Sequence, residues 1–209
     1  MRTPVNDADI NVEPYHLDEH APLWLWRDAL QPGLLDGLLE RLCEQLPWRQ
    51  PTVTVYGKRH LTPRLTSWQG AAGIRYRYSG VEEEAQGWPD CLEPVLRQVE
   101  HLTRHDYNSV LCNWYRDGQD TMGYHSDDEP ELGPEPWIAS LSLGEPRDFV
   151  FRPKPAGRQC LSLTLPHNSL LLMSPAVQHR YHHALPRRAH ANGSRINLTF
   201  RWITPRTHS

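Results

Sequence analysis

Between residues 110 and 203 six short runs succeed one another: VLCNWY (110–115), WIASLSL (137–143), DFVFR (148–152), CLSLTL (160–165), SLLLMS (169–174) and RINLTFRWI (195–203). They are β-branched, aromatic or alternating, and too short to be ordinary helices. Turn formers separate them: Asp117-Gly118, Gly133-Pro134, Gly144, Pro153, Gly157 and Pro166. Strands of this length and spacing predict a sandwich or barrel of jelly-roll type over residues 106–209.

Upstream the period changes. Pro32 followed by Leu34, Leu35, Leu38, Leu39, Leu42 and Leu46 predicts one amphipathic helix, with proline in its first turn and Pro47 ending it. Trp88 to His105 predicts a second, with Leu92, Val95, Leu96, Val99 and Leu102 on one face and Pro89 and Pro94 in its early turns. Between them VTVYGKR (53–59) and GIRYRYSG (73–80) read as hairpin strands, and Glu82–Glu84 as a loop. Residues 1–20 show no apolar period and read as a flexible leader. The expectation is a single α+β domain: leader 1–20, helical support and lid 21–105, and jelly-roll core 106–209 buttressed by the helices.

Composition narrows the function classes. The chain has 209 residues and a formal net charge of −3. No run of about 18 apolar residues exists, so no membrane helix is expected. The polar, acidic start is unlike a secretory signal. Cys43, Cys91, Cys112 and Cys160 are scattered without a C-x-x-C pair. That excludes a zinc ribbon, argues against a disulfide framework and points to a reducing cytoplasm: around the nucleoid in a bacterium, the nucleus in a eukaryote. Phosphate-binding glycine motifs are absent. Eight Trp and twelve His exceed what packing usually requires. Charge is segregated: residues 51–80 carry five bases and no acid, residues 81–136 fourteen acids and three bases, and residues 145–209 ten bases and two acids. Basic segments inside an acidic chain suggest an anionic partner held by one face.

A jelly roll rich in histidine raises the 2-His-1-carboxylate triad, which holds iron(II) on one face and leaves positions open. Its seed is H-x-D, since residues i and i+2 of a strand point the same way. Two matches occur, His16-Leu17-Asp18 and His125-Ser126-Asp127. The first, in the polar leader, reads as coincidence. The second follows a strand, in GYHSDDE (123–129); a solvated acidic loop is the competing reading. The third ligand must come from elsewhere, and His179, His182 and His183 are available. His182 and His183 face opposite sides of a strand, and spacing does not choose between them.

The last strand is more informative. Arg195, Asn197, Thr199 and Arg201 share one face; Ile196, Leu198, Phe200 and Trp202 share the other. An ordinary barrel strand turns its polar face to water. Two arginines flanking an amide and a hydroxyl also form a fork for a dicarboxylate. Asn113 and Tyr115 alternate in the same way, and facing Arg195 and Arg201 they would complete a slot suited to 2-oxoglutarate.

NWYRDGQD (113–120), HSDDE (125–129), IASLSLG (138–144) and RINLTFR (195–201), in this order and spacing, closely resemble the AlkB family of iron(II)/2-oxoglutarate dioxygenases over about residues 53–203. Tyr56-Gly57-Lys58, Pro63-Arg64 and Tyr76-Arg77-Tyr78-Ser79-Gly80 make the chain most like that family's DNA-repair homologues two and three. The resemblance implies iron(II) on His125, Asp127 and His183. His183 is chosen because Ala184-Leu185-Pro186 follow it; the family's Trp two residues earlier is Tyr181 here, and its Thr-Gln pair is Val177-Gln178. The implied 2-oxoglutarate set is Asn113, Tyr115, Arg195, Thr199 and Arg201, with Asn197 nearby. Arg195 is assigned to the distal carboxylate and Arg201 to the end near iron.

Implied too is oxidative dealkylation of N-alkylated bases in DNA, single or double stranded. Candidate substrates are 1-methyladenine, 3-methylcytosine and etheno adducts; oxygen is consumed, and formaldehyde or the corresponding aldehyde, succinate and carbon dioxide are released. The base would be flipped into the site under a nucleotide-recognition lid. Trp68, Tyr76 and Tyr78 would stack on it, and Tyr56 would wedge into the vacated stack. Lys58, Arg59, Arg64, Arg75 and Arg77 would grip phosphates. Asp128 and Glu129 would read the base. A monomer is expected. The alternatives are the same chemistry on methylated RNA, a protein or a small molecule, and a non-catalytic cupin-like binding domain.

Overall fold

The structure, a computed structural model, describes residues 12–55, 57–78 and 81–204; for residues 54, 55, 76–78, 81 and 82 it describes the backbone alone. The chain begins with β1 (Val12–His16), β2 (Pro22–Trp26), α1 (Pro32–Leu35) and α2 (Leu38–Gln45). Next come β3 (Thr52–Val55), β4 (Lys58–Leu61), β5 (Leu65–Gly70), β6 (Arg75–Tyr78), β7 (Val81–Glu84) and α3 (Glu93–Thr103). The remainder is β8 (Ser109–Tyr115), β9 (Met122–His125), β10 (Ile138–Gly144), β11 (Arg147–Pro153), β12 (Leu161–Leu165), β13 (Ser169–Met173), α4 (Pro175–Arg180), β14 (Tyr181–Leu185) and β15 (Arg195–Arg201).

Two antiparallel sheets carry the fold. One has seven strands in the order β1-β2-β13-β10-β15-β8-β5, the other four in the order β12-β11-β14-β9. Hairpins β3–β4 and β6–β7 form separate two-stranded ribbons. The large sheet is covered on both faces. Ile196, Leu198 and Phe200 of β15 join Val110 and Cys112 of β8 in one apolar cluster with Leu38, Leu42, Val95 and Val99 of the helices. Leu171 and Met173 of the large sheet meet Phe149, Phe151 and Leu165 of the small sheet in a second cluster. Each fully buried Leu, Ile or Phe contributes about 1.5–3 kcal/mol. All seven residues of β15 are buried. The helices cover its apolar face, which turns its polar face toward the small sheet rather than toward water.

Six of the eight tryptophans, Trp24, Trp26, Trp48, Trp88, Trp114 and Trp137, belong to the helix–sheet layer. Packing therefore accounts for most of the tryptophan excess.

Four local expectations are revised. The helix expected over residues 32–46 is broken, because Gly37 is left-handed (φ +61°) and separates α1 from α2; a side chain there would be strained. The second helix is shorter than Trp88–His105, running Glu93–Thr103 with Arg104 left-handed at its end. Glu82–Glu84 is strand, since β7 pairs with β6 in a register that sets Glu84 opposite Arg75 and Glu82 opposite Arg77; opposite charges facing each other favour such pairing. Residues 12–16, placed in the leader, form edge strand β1 against β2. There Glu13 accepts hydrogen bonds from Tyr15 (2.6 Å) and Arg27 (2.5 Å).

The β10–β15 pairing depends on Gly144, whose φ is +91° and whose added Cβ would lie 2.2 Å from the Ser194 carbonyl oxygen. Gly144→Val is therefore expected to lower the urea midpoint substantially, since neither conformation nor space admits a side chain.

Candidate active site

His125 ends β9 and His183 lies in β14, directly opposite it in the antiparallel register. Their rings meet edge to face with centroids 4.3 Å apart. Asp127, two residues beyond His125, brings Oδ2 to 3.4 Å from His183 Nε2. One ligand atom from each of the three residues fits within a 4.8 Å cluster. His183 and Asp127 are both 2% exposed. His182 faces the opposite side of β14 and His179 is exposed, so the choice among the three histidines falls on His183. His125 Nδ1 donates to the Gly123 carbonyl (2.9 Å), which leaves Nε2 as the free lone pair.

The electrostatics suit a metal. Burial, then the neighbouring His183, lower His125 to about 4 from 6.5, against the opposing pull of Asp127. The ring is thus neutral at pH 7, the form that ligates. Burial disfavours the Asp127 carboxylate, but the Arg201 guanidinium bonded to it and His183 outweigh that, so it lies well below the usual carboxylate range. In the unfolded chain His125 takes its proton near 6.5, in the folded chain only near 4. The metal-free protein should therefore lose stability as the pH falls from about 6.5 to about 4. Urea midpoints across that window should fall more steeply for the native chain than for His125→Asn.

Beside the cluster lies a cavity whose lining includes Asn113, Tyr115, Ser140, Arg195, Asn197 and Arg201. Register builds it: in the β8–β15 ladder Asn197 is opposite Asn113 and Arg195 opposite Tyr115. Asn197 donates to Ser140 Oγ (2.7 Å) and the Leu141 carbonyl (3.0 Å), and Thr199 donates to Asn197 Oδ1 (2.8 Å). Arg195 is 2% exposed, and Nη2 donates to Ser142 Oγ at 2.9 Å. Its guanidinium lies 5.3 Å from the Tyr115 ring centre. Nε has no hydrogen-bond partner, and among the described residues no carboxylate pairs with this cation. Burial lowers it to about 10. A buried cation without a counter-ion is costly, and a bound carboxylate would resolve it. The residues present thus fit both a metal and an anionic co-reactant.

A family model described as the 2OG-Fe(II) oxygenase superfamily matches residues 22–201. The chain is 38% identical over 199 residues to alpha-ketoglutarate-dependent dioxygenase alkB homolog 3 of Rattus norvegicus, covering 88% of this chain and 67% of that protein. It is 40% identical over 174 residues to DNA oxidative demethylase ALKBH2 of Mus musculus, covering 80% and 73%. The chain belongs to the AlkB family. As an AlkB-family member it is an iron(II)/2-oxoglutarate dioxygenase with those two cofactors, which removes the non-catalytic cupin-like alternative. The solved structure of OsALKBH1 superposes with a TM-score of 0.60 over 91% of this chain and 100% of that one, at 15% identity, a likeness of fold.

The residues expected to contact nucleic acid are placed less simply in this AlkB-family member. Tyr56 lies outside the described residues, as do the side chains of Tyr76, Arg77 and Tyr78. Trp68 is half-buried on β5 and lines a groove with Arg49, Gln50, Arg59 and Gln69. Lys58 and Arg59 are exposed on β4. Arg64, expected to grip phosphate, is instead buried (7% exposed), with Nε donating to Asn113 Oδ1 (3.0 Å); the chain enters β5 with this side chain turned inward. Arg75 pairs with Glu84 (2.8 Å), so part of the basic segment is neutralised locally; Arg49, just before that segment, pairs with Glu83 (2.6 Å). Asp128 is engaged by Lys154 (2.7 Å) and Ser126 (3.2 Å). Glu129 occupies the N-cap position of the short 3-10 turn Pro130–Leu132.

Two residues given no role from sequence contribute here. Gln178, fully buried, accepts the backbone N–H of Asp127 (3.0 Å). Arg147, 1% exposed, donates to the carbonyls of Asp117 (3.0 Å), Asp120 (2.9 Å) and Pro186 (2.7 Å), tying the loop after β8 to the end of β14. The available signal was weak: Gln178 stands where the resemblance sets the glutamine of a Thr-Gln pair, and Arg147, between Pro146 and Asp148, has none. Among the described residues the first H-x-D match joins no cluster: Asp18 accepts from Tyr181 Oη (2.5 Å) and pairs with Arg180 (3.0 Å). All four cysteines are free thiols, and no helix of the described residues is long and apolar enough to cross a membrane.

Proposed function

We propose that this dioxygenase removes N-alkyl groups from bases in DNA, with His125, Asp127 and His183 holding iron(II). Asn113, Tyr115, Arg195, Thr199 and Arg201 would hold 2-oxoglutarate, and Asn197 would brace that slot. The observation carrying the cofactor half is Arg195, a buried cation with no carboxylate partner among the described residues, beside a His-Asp-His cluster. The DNA half is supported by 40% identity to a relative named a DNA oxidative demethylase. When bound, iron with 2-oxoglutarate and oxygen supplies oxidation of an N-methyl carbon, with formaldehyde, succinate and carbon dioxide as products.

The protein's own residues do the positioning. Arg195, itself buried, would neutralise the distal carboxylate of the co-reactant, and away from water such a charge-assisted bond is strong. Arg201 keeps Asp127 ionised and would meet the near end of the co-reactant. The Nδ1–H bond from His125 to Gly123 fixes that ring's ligating tautomer. Trp68, Tyr76 and Tyr78 supply flat surfaces for a flipped base, each worth about 1–3 kcal/mol. Tyr56 fills the gap left in a duplex, Lys58 and Arg59 meet phosphates beside it, and Glu129 reads the base edge.

Mass spectrometry of 1-methyladenine, 3-methylcytosine and ethenoadenine oligonucleotides, single and double stranded, is the test. Loss of the alkyl group that depends on 2-oxoglutarate is expected; repair of methylated RNA with none of DNA would overturn the substrate. Tyr56→Ala should reduce duplex repair about 5- to 150-fold more than single-strand repair, the cost of an unfilled stack being on the order of 1–3 kcal/mol. Equal losses on both substrates would remove the wedge.

A further inference from the structure

We infer that Gln178 is a positioning residue that fixes Asp127 relative to the two histidines, with Lys154 closing the same clamp. The inference rests on the reading that His125, Asp127 and His183 hold the metal. His125 and His183 need no such help, being directly opposed in the β9–β14 ladder. Asp127 does. It lies two residues past the end of β9, outside any strand, in the loop leading to the Pro130–Leu132 turn.

The anchor comes from α4, the short helix that runs directly into β14. Gln178 is completely buried, five residues before His183. Oε1 accepts the Asp127 N–H at 3.0 Å, while Nε2 donates to Met173 Sδ at 3.6 Å. The contact with Met173 orients the carboxamide so that its oxygen meets the loop. The main chain of Gln178 makes a second tie: its carbonyl accepts Lys154 Nζ (2.7 Å), and the same Nζ pairs with Asp128 Oδ2 (2.7 Å). The Lys154 N–H donates to the Arg180 carbonyl (2.8 Å), holding the end of β11 to the same helix. Consecutive residues of the loop, Asp127 by its backbone and Asp128 by its side chain, are thus both referred to Gln178. The segment that carries the distal histidine also sets the position of the carboxylate.

Opposing forces make the clamp matter. Arg201 attracts one carboxylate oxygen of Asp127, and His183 stands beside the other. A loop free to follow Arg201 would move the carboxylate away from the histidines. Holding the Asp127 amide limits that excursion to side-chain rotation.

Cobalt(II), titrated anaerobically in the presence of 2-oxoglutarate and followed by its visible absorption, is the probe. Gln178→Met keeps the volume and removes the acceptor, and should weaken cobalt binding about 10- to 100-fold. Gln178→Glu keeps an acceptor oxygen for the Asp127 N–H and should stay within about threefold of the native chain. Lys154→Met, at a partly exposed position, should weaken binding about threefold to tenfold. A residue serving only the fold would lower the melting temperature without moving cobalt affinity measured well below it. Native affinity in Gln178→Met, or equal weakening in Gln178→Met and Gln178→Glu, overturns the inference. Should Gln178→Met not fold, native affinity in Lys154→Met does so. If the native chain itself takes up no cobalt, the metal reading fails first and takes this one with it.

Discussion

His125→Ala should lower formaldehyde release from a methylated oligonucleotide by at least about a thousandfold, because one of three ligands is gone and metal chemistry is worth several kcal/mol of barrier. The fold should survive, since His125 carries no charge at neutral pH and its Nδ1 bond is to a carbonyl of its own strand. Asp127→Ala should be equally inactive but less stable. It removes the carboxylate that faces the buried Arg201 guanidinium. Breaking such a pair from one side costs about 3–5 kcal/mol. In a chain of this size that is a drop in melting temperature on the order of 10 °C. Asp127→Asn, which keeps an oxygen for Arg201, should lose the activity with a smaller drop. Formaldehyde release retained by both His125→Ala and Asp127→Ala would dismiss the proposed iron site.

The second large effect concerns Arg195, and its two readouts move in opposite directions. Arg195→Met should raise the 2-oxoglutarate concentration needed for half-maximal turnover by about 100-fold, the usual scale for truncating one partner of a buried, hydrogen-bonded charge pair. Without 2-oxoglutarate the same variant should be no less stable than the native chain, and by about 1–3 kcal/mol more so, because a buried cation has been replaced by an apolar side chain of similar length. The native protein should gain melting temperature on adding 2-oxoglutarate, and the variant should not. A variant with an unchanged requirement for 2-oxoglutarate would show that Arg195 serves packing rather than the co-reactant.

Much of this site was readable along the chain because strands impose a period of two. The alternation of Arg195, Asn197, Thr199 and Arg201 identifies one face before any coordinates exist; His125-Ser126-Asp127 reads as a pair of ligands by the same rule, although Asp127 lies past the end of β9 and is placed by its loop. His183 was separable from His182 by resemblance, and the structure supplies the physical reason: adjacent residues of β14 face opposite sides, and the one facing inward meets His125. The basic segment shows the limit of composition. Five bases without an acid over residues 51–80 look like a binding face until β7 brings Glu84 to Arg75, and until Arg64 turns inward to Asn113.

Local sequence, then, determined the strands, the helical faces, the H-x-D seed and the polar stripe of β15, because each is a matter of spacing between near neighbours. Whether that stripe faced water or a closed slot was decided only when α2 and α3 packed on the opposite face of the sheet. The grip of Gln178 on Asp127 spans 51 residues, and the absence, among the described residues, of a carboxylate beside Arg195 depends on every element that lines its cavity. Distant partners are chosen by how whole elements pack, and one-dimensional periodicity carries no record of that choice.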